Sequence, residues 1–170
     1  MIDILLRDLR QPEYIHVLLN PLPVYGLLVG LIGLLIAILL RSRKAKITAL
    51  AIVLISSAAA WPAYEYGEQG YDRVLAMTDD AGHAWLDEHQ HRAEQLIFVF
   101  YALAVLSAAA IVIPIKWPKT SGSLAIAALL LGAVALGMGV YIAQAGGKIR
   151  HREFRNQSPP PIRAEEEHEG

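Results

Sequence analysis

The stretch Val24–Leu40, VYGLLVGLIGLLIAILL, decides the fold. It carries no charge, and the apolar run extends back to Val17. A helix needs about 20 such residues to cross roughly 30 Å of hydrocarbon. Residues 17–40 are therefore expected to span a bilayer. A membrane strand would instead alternate in polarity and belong to a closed barrel, and the run does not alternate.

Three further runs repeat the pattern. They are ITALAIVLISSAAAWPAY (Ile47–Tyr64), LIFVFYALAVLSAAAIVIPI (Leu96–Ile115) and LAIAALLLGAVALGMGVYIA (Leu124–Ala143). The expected class is all-α, an integral membrane four-helix bundle with spans at about 17–40, 47–64, 94–115 and 124–145. The chain of 170 residues is 55% hydrophobic and only 18% charged, with mean hydropathy +0.39. Soluble domains carry about 25% charged residues. The net charge of −1 and the lack of a basic patch interleaved with aromatics exclude nucleic-acid binding. With no cysteine, disulfides, iron–sulfur ligation, thiol catalysis and covalent c-type haem attachment are excluded.

The links between spans suggest an orientation. RSRKAK (41–46) and KWPKTSGS (116–123) are short, basic and free of acids, and such loops stay cytoplasmic. Both termini and the acidic central loop, about Glu65–Arg92, are then outside. The closing stretch GGKIRHREFR (146–155) is basic and runs against this rule. The first span is not a convincing cleavable signal: its flank has no cationic excess, and RSRK rather than a small-residue site follows it.

Local patterns fill in the rest. Ile2, Leu5, Leu6 and Leu9 lie at helical spacing, so residues 1–16 read as an amphipathic segment in the interface plane. Thr78 or Asp79 is a good N-cap for a helix running through His83, His89 and His91 into the third span, an outer helical extension. From 146 onward an outer tail is expected, disordered from about 156, where NQSPPPIRAEEEHEG lacks core-forming residues. Gly26 and Gly30, and Ala135, Gly139, Ala143 and Gly147, stand four apart, the spacing that lets helices approach closely in lipid. They can be internal seams or a homo-oligomer face. No ionisable group lies at membrane depth, which argues against an ion pump or proton-coupled carrier.

Five of the six histidines, His16, His83, His89, His91 and His151, fall at the outer ends of the spans. His83, Asp87 and His91 are at i, i+4 and i+8, one helix face. Glu13 with His16 and Glu88 with His91 form two Glu-x-x-His motifs, which four-helix metal sites use in pairs. Imidazole with carboxylate suits zinc, iron or copper, so His83, Asp87, His89, His91, Glu88 and Glu13 are candidate metal ligands. One imidazole on each of two facing helices can instead ligate a b-type haem. His91 and His151 are the first candidates for that pair, and His16 is the next. The competing expectation is an interfacial histidine cluster paired with acids and holding no cofactor. No Gly-x-Ser-x-Gly, phosphate loop or zincin helix appears, so no catalytic residue is named.

NPLPVYGLLVGLIGLL (20–35), the acidic loop with histidines ahead of the third span, and AQAGGKIRHREFR (143–155) together resemble a bacterial membrane-protein family called domain of unknown function 2231, over about residues 16–152. Its members open with His-Pro-x-x-Val-His and close with a Gly-Gly-x-Leu-Val-Tyr-x-His-like stretch. Gly146, Gly147, Lys148, Ile149 and His151 match the close, and His83 or His91 matches the histidine ahead of the third span. Asn20 and Tyr25 stand where the opening histidines would be. The resemblance implies four spans in a bacterial inner membrane and, since members are sometimes joined to cytochrome c-type domains, an electron-transfer setting. Two functions are expected: a small membrane protein, not itself an enzyme, holding haem or a metal beside an electron-transfer partner, or an accessory subunit docked on a larger membrane or cytochrome complex.

Overall fold

The structure is a computed structural model that describes residues 6–162. Residues 1–5, with Ile2 and Leu5 of the expected interfacial stripe, and 163–170, with His168, lie outside the described residues. The described chain is all-α, and four of its helical stretches are long and apolar enough to cross a membrane: Pro12–Leu39, Arg43–Gln69, Asp80–Lys116 and Pro118–Arg150.

Proline shapes the first stretch. Helix α1 (Pro12–Leu19) and α2 (Leu27–Leu39) are joined by a π-helical turn, Leu22–Gly26. Pro21 and Pro23 have no N–H to continue an α ladder, and Leu27 N–H reaches back to the carbonyl of Leu22, the wider spacing of a π turn. Ser42 then caps α3 (Arg43–Ala58), accepting from Ala45 N–H at 3.3 Å. Helix α4 (Ala60–Gln69) follows almost without a break, so the second stretch rises past the expected end at Tyr64. The GEQG sequence ends it, and a short helix α5, Tyr71–Leu75, turns the chain.

Helix α6, Asp80–Lys116, has 37 residues, about 55 Å at 1.5 Å per residue. That exceeds the hydrocarbon thickness by several turns, so its first part, carrying His83, His89 and His91, stands clear as the expected extension. Asp79 is its cap, accepting from Gly82 N–H at 2.8 Å. Helix α7, Ser121–Arg150, returns, and residues 155–162 carry no helix or strand.

Helix α6 packs along α7, α3 against both α2 and α6, and α1 against α4. Leu27, Leu31, Val53, Phe100, Leu103 and Ala135 form one core layer; Leu34, Leu50, Ala110 and Ala128 belong to a second. Small residues make these approaches possible. A β-carbon at Gly30 would lie 2.9 Å from Val53 Cγ2 and 3.1 Å from its backbone nitrogen, and one at Gly132 would overlap Leu31. These glycines thus serve internal seams. The outward face is apolar, with Phe98, Val105 and Val112 at 60–71% exposure, as a surface solvated by lipid tails requires. Ser57 returns its hydroxyl to Val53 O at 2.7 Å, so this buried polar group stays satisfied.

The two ends of the bundle differ. At one, Lys46 Nζ donates to Ser121 Oγ at 2.9 Å, joining the two basic links. The other gathers α1, α4, α5, the start of α6 and the end of α7, and with them His16, His83, His89, His91 and His151.

Candidate functional site

At the histidine end, two imidazoles from distant parts of the chain converge. His16 projects from α1 and its Nδ1 lies 2.7 Å from the carbonyl oxygen of Ala63 on α4. His89, on α6, places Nδ1 2.9 Å from the carbonyl of Ile142 on α7. A carbonyl only accepts, so each Nδ1 carries the hydrogen and donates it. In the neutral ring Nε2 keeps its lone pair, the tautomer and orientation that ligating histidines take. Neither Nε2 has a hydrogen-bond partner among the described residues. The rings stand edge to face, centres 6.2 Å apart and planes at 83°.

Two glycines make room for them. A β-carbon at Gly67 would come within 2.9 Å of His16 Nδ1, and one at Gly146 within 3.1 Å of His89 Cε1. Each ring lies flush against the helix that bears the glycine.

Both rings line a cavity of about 440 Å³, whose walls include Tyr14, Val74, Leu86 and Ile149. They also line a smaller one of about 60 Å³, bounded by Ile97 and Phe100. The imidazole pair therefore stands where a wide space meets a narrow one running toward the apolar core. Two acids line the larger cavity. Glu13 is held by Arg73 at 2.6 Å, and Glu68 accepts from the Tyr64 hydroxyl at 2.5 Å.

Two buried cations on α6 and α7 are held by nearby partners. Arg92 Nε donates to Glu88 at 2.8 Å, its Nη1 to Tyr141 O at 2.7 Å, and its guanidinium stacks 3.7 Å from the Tyr141 ring centre. Lys148 lies 4.0 Å over the buried Trp85 ring. Trp85, Leu86, Ala145 and Ile149 form a third apolar cluster against Tyr71, Val74 and Leu75, which fixes α5 and the start of α6 on the end of α7.

The pair expected first, His91 with His151, is not the pair that lines the cavity. His151 is exposed, bonded to Glu153 at 2.9 Å and stacked on Phe154 at 4.9 Å. His91 is two residues beyond His89, about 200° round the helix, and borders neither cavity. His83 and Asp87, at i−8 and i−4 from His91, are half-buried and also absent from both walls. The Glu-x-x-His motifs do not join into one ligand set: Glu88 is engaged by Arg92 and Glu13 by Arg73. Among the described residues no three His, Asp or Glu side chains come together to hold a metal ion.

The sequence does contain the signal for His89. Leu86, His89, Ala93, Ile97 and Phe100 follow one helical stripe, so the apolar face of the third span leads to His89 rather than His91. The carbonyls of Ala63 and Ile142 and the space left by Gly67 and Gly146 have no such signature, because they depend on which helices become neighbours. No family model, curated protein or solved structure matches the chain, so the family resemblance stands on the quoted motifs alone.

Proposed function

We propose that this protein holds a b-type haem between His16 and His89 at the outer side of a bacterial inner membrane and passes electrons to a partner there. The observation that carries the proposal is the pair of imidazoles, each fixed through Nδ1 on a backbone carbonyl and each with Nε2 unpaired at a cavity wall. The ring centres stand 6.2 Å apart with their planes at 83°, so a single ligand entering the cavity meets both imidazoles. The cavity of about 440 Å³ is within the roughly 300–1,000 Å³ of small-molecule sites.

Ligand number favours haem over a bare ion. Structural zinc sites take four protein donors, whereas two imidazoles converge here. A tetrapyrrole brings four nitrogens of its own and needs only one or two axial side chains. Bound haem would supply one-electron chemistry. The chain's residues would hold it: His16 and His89 as nitrogen donors made more basic by their carbonyl partners, and the apolar walls by excluding water. Asn20, where the resembled family has a histidine, lies one turn beyond His16 and lines the same cavity. The basic links at the opposite end support an outward-facing histidine end.

Haemin titration of the detergent-purified protein tests the proposal. The expected result is a Soret band of a bis-imidazole haem, lost in His16→Ala and His89→Ala and kept in His151→Ala. A protein that takes up no haemin, or loses it equally in all three variants, would overturn it and leave the accessory-subunit function.

A further inference from the structure

We infer that Arg150 is the residue that pairs with the carboxylate side chains of the bound porphyrin and so sets which edge of the ring faces water; this rests on the haem proposal above. Arg150 is the last residue of α7 and the sole lysine or arginine among the described residues lining the larger cavity. Among the described residues the one hydrogen bond of its guanidinium is a long contact from Nη2 to Met77 Sδ at 3.9 Å. The neighbouring arginines are already committed: Arg73 to Glu13 at 2.6 Å, Arg92 to Glu88 at 2.8 Å, and Arg152 and Arg155 to Asp79 at 3.0 and 2.9 Å. A guanidinium on a cavity wall that has no carboxylate partner among the described residues is matched in charge and shape to a ligand carboxylate, which it can take in bidentate fashion.

Its position fits that role. Gly146, against which His89 rests, lies four residues before Arg150 on the same helix face, so Arg150 stands about 6 Å, just over one turn, farther out. Arg150 is exposed, while the opposite side of the imidazole pair leads to Ile97 and Phe100. A ligand ligated at His89 with its anionic edge at Arg150 has its apolar edge toward the core.

The test compares two porphyrins on the full chain in detergent: haemin, with two carboxylates, and iron octaethylporphyrin, with none. Arg150→Gln is expected to weaken haemin binding about ten-fold or more, the scale of one charge-assisted pair, and to leave iron octaethylporphyrin within about two-fold. Arg150→Lys should restore part of the loss, and His89→Ala should weaken both porphyrins. Unchanged haemin affinity in Arg150→Gln, or equal loss of both porphyrins, overturns the role of Arg150 and leaves the ligation intact. Failure of the unaltered protein to bind haemin overturns both proposals.

Discussion

Asp79 grips Arg155 with both carboxylate oxygens, at 2.9 and 3.0 Å from Nη1, while its Oδ1 caps Gly82 N–H. Arg155 in turn donates through Nε to Lys148 O and through Nη2 to Ile149 O, both at 2.7 Å. One acid thus ties the first turn of α6 to the last turn of α7. The relationship also accounts for the basic closing stretch that runs against the charge rule for loops. Arg152 and Arg155 are counter-charges for Asp79 at the acidic end of the bundle.

The first prediction concerns pH. Arg155, with help from Gly82 N–H, holds the Asp79 carboxyl down to about 2 from an ordinary 3.8. A depressed folded value stabilises the fold above the unfolded value and loses that contribution as pH falls through the folded one. Protection of the amides in residues 148–155, taken relative to their intrinsic exchange rates at each pH, should therefore fall as pH drops from about 4 to about 2. In Asp79→Asn that protection should already be low at neutral pH and show no such step.

The glycines beside the imidazoles should separate ligand binding from stability. Alanine at Gly67 or Gly146 displaces a ring from its carbonyl, a loss of about 1 kcal/mol for one hydrogen bond. Replacing a helical glycine returns about 0.5–1 kcal/mol. Thermal unfolding in detergent should change little, while haemin affinity falls about ten-fold. A large fall in thermal midpoint with unchanged haemin binding would reverse this assignment.

Glycines on the seams and on the open face should respond with opposite signs. Gly30→Ala meets the Val53 backbone, and overpacking costs about 1–3 kcal/mol, more than helix propensity recovers. Around Gly122 and Gly137 there is nothing within 4 Å, so alanine there should be neutral or gain up to about 1 kcal/mol. Thermal midpoints of the three variants in one detergent give the comparison.

Absence of cysteine makes the chain ready for accessibility labelling. Single cysteines at Arg73 and His151 should react with an impermeant thiol reagent applied to intact spheroplasts. Cysteines at Lys44 and Lys119 should react only after the membrane is opened. The reverse pattern would put the histidine end inside and remove the outward-facing partner.

Much of the fold was legible because each span is an uninterrupted apolar block, and the Asp79 cap is a local choice visible in a few residues. The cavity was only partly legible. His16 and His89 both stood among the candidates, yet spacing along one helix favoured His91, which shares a face with His83 and Asp87. The cavity wall holds His89 instead, because i, i+4 regularity groups residues on a face without indicating what the face meets. The apolar stripe through Leu86, Ala93 and Ile97 indicates it better. The charges near the site were similarly opaque: Glu13 and Glu88 look like ligands in sequence, and only the fold brings Arg73 beside one and turns Arg92 onto the other.

The π-helical turn at Leu22–Gly26 sets the phase of everything before it. An α-helix advances about 100° per residue, so excising one residue there would swing α1 by more than a quarter of a revolution and carry His16 away from His89. Aim at the cavity is in this sense a matter of residue count, fixed by two prolines inside the first membrane crossing rather than by any group that touches a ligand.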